Sequence, residues 1–133
     1  MNGMPDTPLL DVAHLTTTFR LAGGRAAHAV DDVSFSVARG ETLGLVGESG
    51  SGKSVTALSV MGLVQPPGRV TGGTIRLDGT DLLTLDERQR CAVRGRRIGF
   101  VFQEPMVALD PVYTIGSQLV ETLEVHGLAR GAA

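Results

Sequence analysis

Between two apolar runs, Thr42–Val46 and Val55–Leu63, lies Gly47-Glu-Ser-Gly-Ser-Gly-Lys-Ser54. Lys53 is the only lysine among 12 basic side chains; the others are arginines. The spacing is G-x-x-x-x-G-K-[ST], with a strand-like run before it and a helix-like run behind it, the context that gives this pattern its meaning. Glycine lets a backbone take positive φ and approach a ligand closely. Successive N–H groups can then turn toward one anion as a nest. The start of the following helix adds roughly half a positive charge at the same place. Gly47, Glu48, Ser49, Gly50, Ser51, Gly52, Lys53, Ser54 and Val55 are therefore the candidate cradle for the phosphates of a nucleoside triphosphate. Lys53 would reach the β- and γ-phosphates as a compact charge, and the Ser54 hydroxyl would ligate Mg²⁺. Random ordering of this composition would produce the pattern about 0.2% of the time, so a merely flexible glycine turn is set aside.

The elements that must hold this loop can be read around it. Leu9–Phe19 and Ala29–Val37 alternate and are rich in β-branched residues, predicting two strands joined through the turn at Ala22-Gly-Gly-Arg25. Together they suggest an antiparallel, half-exposed sheet. Glu41–Val46 and Arg97–Phe102 are short and apolar, predicting two buried strands of a parallel sheet. A helix is expected from Lys53 to Leu63, stopped by Gln65-Pro-Pro-Gly68. Thr71–Gly79 predicts a further strand ending in a turn. Leu85–Val93 reads as a short polar helix with Asp86 as its N-cap. Apolar residues at Ile115, Leu119, Val120, Leu123 and Val125 give Thr114–His126 the period of an amphipathic helix.

Composition narrows the class. The 133 residues allow one domain or part of one, and 42% apolar with 20% charged residues is ordinary for a globular chain. A net charge of −2 gives no global support to nucleic-acid binding. Arg88, Arg90, Arg94, Arg96 and Arg97 cluster, but Asp81, Asp86 and Glu87 lie nearby, so a solvated helix face is expected. The single cysteine, Cys91, forms no internal disulfide framework and suits a reducing compartment. No apolar stretch is long enough to span a bilayer, and the first residues lack the pattern of a signal peptide. His14, His28 and His126 are not at metal-ligand spacing. The expectation is a soluble protein that reaches a membrane only through a partner.

Longer segments carry a family likeness. His28-Ala-Val-Asp-Asp-Val-Ser-Phe-Ser-Val37 runs into Arg39-Gly-Glu-Thr-Leu-Gly-Leu-Val46 and the glycine loop. Thr71–Gly79 follows, and then Arg94-Gly-Arg-Arg-Ile-Gly-Phe-Val-Phe-Gln-Glu-Pro-Met106 with Leu109-Asp-Pro111 and Thr114-Ile-Gly116. Over almost all of residues 9 to 130 the chain resembles the ATP-binding subunit of ABC transporters. The Phe-Gln-[Asp/Glu]-Pro-Met element makes it most similar to the oligopeptide/dipeptide/nickel importer group. Glu104 stands where Asp is more usual, and Val107-Ala-Leu-Asp110 where the group often has Thr-Ser-Leu-Asn.

This resemblance implies an α/β fold: a P-loop NTPase core of the ABC ATPase type with an N-terminal antiparallel β subdomain, incomplete at the C-terminus. It implies ATP and Mg²⁺ as cofactors, and Lys53 and Gln103 as the catalytic residues. Gln103, the Q-loop glutamine, would contact Mg²⁺ or the attacking water and couple the site to a membrane subunit. Phe19 would stack on adenine, with His28 a rival; Phe19 equally suits the core of the small sheet. Implied partners are a second ABC ATPase subunit, transmembrane permease subunits and, indirectly, an extracytoplasmic solute-binding protein, on the cytoplasmic face of the membrane. No nucleic acid is expected. From Gln103 to Ala133 there is no Leu-Ser-Gly-Gly-Gln-type signature, no Asp-Glu strand end and no switch histidine. Residues 1–133 therefore read as the N-terminal part of one nucleotide-binding domain, from Walker A to Q-loop. Three functions remain open: the ATPase of a solute importer, a nucleotide-binding fragment without turnover, and an ABC ATPase outside transport.

Overall fold

Two β-rich segments pair in opposite directions, as their alternation predicts. The computed structural model describes residues 7–104 and 108–128. The chain divides into two units, Met1–Asp86 and Glu87–Ala133. In the first, β1 (Leu10–Arg20) lies between β2 (Ala26–Val37) and β3 (Gly68–Leu77), and β4 (Thr80–Asp81) borders β3. Every pairing is antiparallel. Register shifts interrupt β1 near His14, which has φ 54°, and β2 passes the same level at Asp32, φ 51°. Bulges of this kind bend a strand and sharpen its twist. Here Ser34 Oγ accepts from His14 N at 2.8 Å, and His14 Nδ1 lies 2.7 Å from Asp32 Oδ1.

Helix α1 (Lys53–Met61) covers this sheet. The core gathers Val12, Leu15, Val30, Ile75, Leu77 and Leu82 with Met61 of α1. Burying each such side chain contributes about 1.5–3 kcal/mol. Gly62, left-handed, ends the helix two residues before the expected Leu63 and donates to Leu58 O and Ser59 O, a common helix ending. Arg39 Nη2 reaches Asp78 Oδ1 at 2.7 Å between the strand ends; both side chains are exposed, so the pair contributes below about 1 kcal/mol.

The expected strand Glu41–Val46 is a correction. These residues form no ladder and are exposed, Val46 to 89%. Arg97–Phe102 departs in the same way: Val101 is 95% exposed, and among the described residues the segment's one β-bridge is Arg94–Ile98. A buried parallel strand needs hydrogen-bonding neighbours and covered faces. Among the described residues no strand pairs with either segment.

The second unit holds α2 (Glu87–Val93), starting directly after Asp86, and α3 (Ile115–Val125). Thr114 caps α3, its hydroxyl accepting from Ser117 N at 3.2 Å. Pro105, Met106 and Val107, and the chain from Ala129 to Ala133, lie outside the described residues.

Candidate functional site

The glycine loop is anchored from behind by a polar contact inside the apolar core. Thr17 of β1 and Ser59 of α1 are 0% and 1% exposed, and their hydroxyl oxygens lie 2.8 Å apart. Ser59 spends its one proton on Val55 O, 2.7 Å away. A hydroxyl has one donor, so Thr17 donates to Ser59. This bond fixes α1 against β1 and with it the position of the loop.

At the helix start, Gly52 has φ 90° and ψ 0°. A Cβ at this position would collide with the carbonyl oxygen of Ala29 in β2. Conformation and close approach both require glycine there. The next turn is tied back to it: Thr56 donates to Gly52 O through its amide at 2.8 Å and its hydroxyl at 3.0 Å.

The loop's own donors are unspent. The amides of Ser49, Gly50, Gly52, Lys53, Ser54 and Val55 donate to nothing among the described residues. The first amides of a helix have no intrahelical acceptor, and here the loop extends that series. Orphan donors beside the positive end of α1 form a place for an anion. Lys53 Nζ lies over the loop, donating to Gly47 O at 2.8 Å, Glu48 O at 2.6 Å and Ser51 Oγ at 3.1 Å. Residues Gly47 to Val55 thus form one continuous loop and helix start, closed over by Lys53 Nζ. Ser54 is exposed and its hydroxyl bonds nothing among the described residues. A hydroxyl is the kind of hard-oxygen ligand that Mg²⁺ takes.

Phe19 stands one strand away. Its ring is half-buried against Gly68 and Val64. Gln103 belongs to the second unit, is exposed, and has no hydrogen-bond partner among the described residues.

In that unit, Gln118 does work that sequence reading missed. Its Oε1 accepts from Asp110 N at 3.0 Å, and its Nε2 donates to Asp110 O at 2.9 Å and Tyr113 O at 3.0 Å. The segment Asp110–Tyr113 is thereby pinned to α3, and Leu109, Val112, Tyr113 and Ile115 are exposed. The half-buried Gln118 lies among the apolar positions of α3; a lone amide there is the only signal. Just past α2, the Arg94 guanidinium, 2.5 Å from Glu87, holds that carboxyl below its ordinary value, chiefly through the hydrogen bond. Arg94 therefore has a local structural partner.

Among families of known proteins, residues 30–130 match ABC transporter. The dipeptide transport ATP-binding protein DppD of Haemophilus influenzae is 46% identical over 120 residues, 89% of this chain and 36% of that protein. The oligopeptide transport ATP-binding protein AppD of Bacillus subtilis is 48% identical over 119 residues, again 89% of this chain and 36% of the relative. The chain thus spans about a third of these curated relatives. Among solved structures, the dimeric MJ0796, a bacterial ABC transporter cassette, superposes with TM-score 0.77 at 27% identity, over 93% of this chain and 50% of that one. The same cassette in a post-hydrolysis state bound to ADP and Pi gives 0.72 at 28% identity, with the same coverage. With the loop, the sheet behind it and these likenesses together, the chain belongs to the ABC transporter family, and its fold is that of part of an ABC ATPase cassette.

Proposed function

We propose that the chain is the nucleotide-binding part of an ABC importer's ATP-binding subunit, serving uptake of peptides or related solutes. The observation that carries the nucleotide reading is the run of unspent amides beside Lys53 at the start of α1. The importer reading rests on the peptide-transport relatives. On this reading residues Gly47–Val55 hold the ATP phosphates, with Lys53 supplying the mobile cation. Phe19, backed by Gly68 and Val64, is the aromatic group offered to adenine. Ser54 would hold Mg²⁺, which when bound screens the phosphate charge as a Lewis acid. Gln103 carries a neutral amide, the kind of group suited to contacting a metal or placing a water.

The pinned apolar segment around Leu109 and Tyr113 is the face offered to a permease, and a second ATPase subunit would face the loop. No helix among the described residues is long and apolar enough to cross a membrane. Attachment at the cytoplasmic side would then come through the permease, with the solute-binding protein acting from the far side.

A second reading, nucleotide binding without turnover by these 133 residues, is favoured by the acids. Phosphoryl transfer needs an acidic residue to hold the metal as well as the loop. Glu121 and Glu124, the acids nearest the chain's end, lie on α3 and not at a strand end.

The test is calorimetric titration of Mg²⁺ and ATP into the wild-type chain and Lys53→Ala, with phosphate release followed in parallel. Binding is expected for the wild type and absent in Lys53→Ala. Equal affinity in both would overturn the assignment of Lys53. Steady phosphate release that disappears in Lys53→Ala would exclude the second reading.

A further inference from the structure

An ammonium group has three N–H donors. All three of Lys53's are engaged within its own loop, by Gly47 O, Glu48 O and Ser51 Oγ. An arriving phosphate oxygen therefore meets no free lysine donor, and one of these bonds must be exchanged. The two carbonyls belong to the backbone and cannot leave without remaking the loop. Ser51 Oγ is the one side-chain acceptor, at 3.1 Å the longest of the three, and sits on an exposed residue. A single χ1 rotation takes it away.

Gly47 is shaped to the same contact. A Cβ there would lie 2.6 Å from Ser51 Oγ, while Gly47 is not in the left-handed region. Room for this hydroxyl, not backbone conformation, is what position 47 supplies.

We infer that Ser51 is a positioning residue: its hydroxyl occupies the third donor of Lys53 within the loop and yields it to a phosphate oxygen on binding. The inference rests on the nucleotide reading above. In wild type the exchange breaks a bond within the protein. Without the hydroxyl, the third donor faces water and is taken more readily. The hydroxyl then restrains binding, and its removal speeds association.

The test is stopped-flow binding of a fluorescent N-methylanthraniloyl ATP, with Mg²⁺, to the wild-type chain, Ser51→Ala, Ser51→Gly and Ser51→Thr. Ser51→Ala should associate about two- to fivefold faster, the factor expected from one exposed hydrogen bond. Ser51→Gly, which also lacks the hydroxyl, should match it, and Ser51→Thr, which keeps the hydroxyl, should return the wild-type rate. Association in Ser51→Ala and Ser51→Gly that is unchanged or slower overturns the inference and leaves the nucleotide reading standing. No binding by the wild type overturns both.

Discussion

The buried bond between Thr17 and Ser59 yields an asymmetric prediction. Ser59 donates to Val55 O and accepts from Thr17. In Ser59→Ala the Thr17 hydroxyl keeps its proton at a site 0% exposed and loses its acceptor. A buried donor left unmade costs about 1–3 kcal/mol. In Thr17→Val a methyl replaces the hydroxyl at similar volume, and Ser59 still donates to Val55 O. Only an acceptor lone pair is then unfilled, and the cost should stay below about 1 kcal/mol. In the double variant no donor is stranded, so it should be more stable than Ser59→Ala alone by about 1 kcal/mol or more. Contacting residues are where additivity fails.

The assay is urea unfolding of the four chains, followed by far-ultraviolet circular dichroism at constant denaturant slope. A Ser59→Ala cost no larger than that of Thr17→Val would refute the donor assignment. So would a double variant whose loss is the simple sum. Against a total stability of about 5–15 kcal/mol, the expected loss is readily measured. Because the bond holds α1 to β1, Ser59→Ala should also loosen ATP binding, and so should the double variant, which lacks the same bond.

Other outcomes follow from single contacts. Gly52→Ala meets both a φ of 90° and the Ala29 carbonyl. It should abolish ATP binding in the same calorimetric titration, and tight binding would show that the loop shifts freely on β2. Glu87, whose carboxyl is held below its ordinary value by Arg94, stabilises α2 while ionised. That contribution is fully present above the ordinary unfolded-state value and is lost as pH falls through the lower folded one. An NMR titration of the Glu87 carboxyl should place its midpoint below the ordinary glutamate value, and Arg94→Gln should raise it.

The loop was legible because its information is local. Glycine spacing, one lysine and one serine specify a nest and a helix start without reference to anything distant, and Lys53 begins α1 as expected. Period-two alternation likewise located β1 and β2, since a half-exposed antiparallel strand records its two faces in its own sequence. Thr42–Val46 and Ile98–Phe102 show the limit of that argument. Their apolar character marks a capacity to be buried, but a strand exists only when a neighbour supplies the other half of its ladder. Leu43, Leu45 and Val101 remain exposed.

What only tertiary structure decided is which distant groups share a proton or a space. Thr17 and Ser59 are 42 positions apart and unremarkable in sequence. Gly52 is required partly by the carbonyl of Ala29, a residue on another strand. Gln118, a lone amide among the apolar positions of α3, spends both ends of that amide on the segment before it. The residue types that can hold a phosphate are set by chemistry and appear in the sequence by themselves. Whether Lys53 stands ready or must first release Ser51 depends on distances of a few tenths of an ångström, which arise only once helix, loop and sheet are packed together.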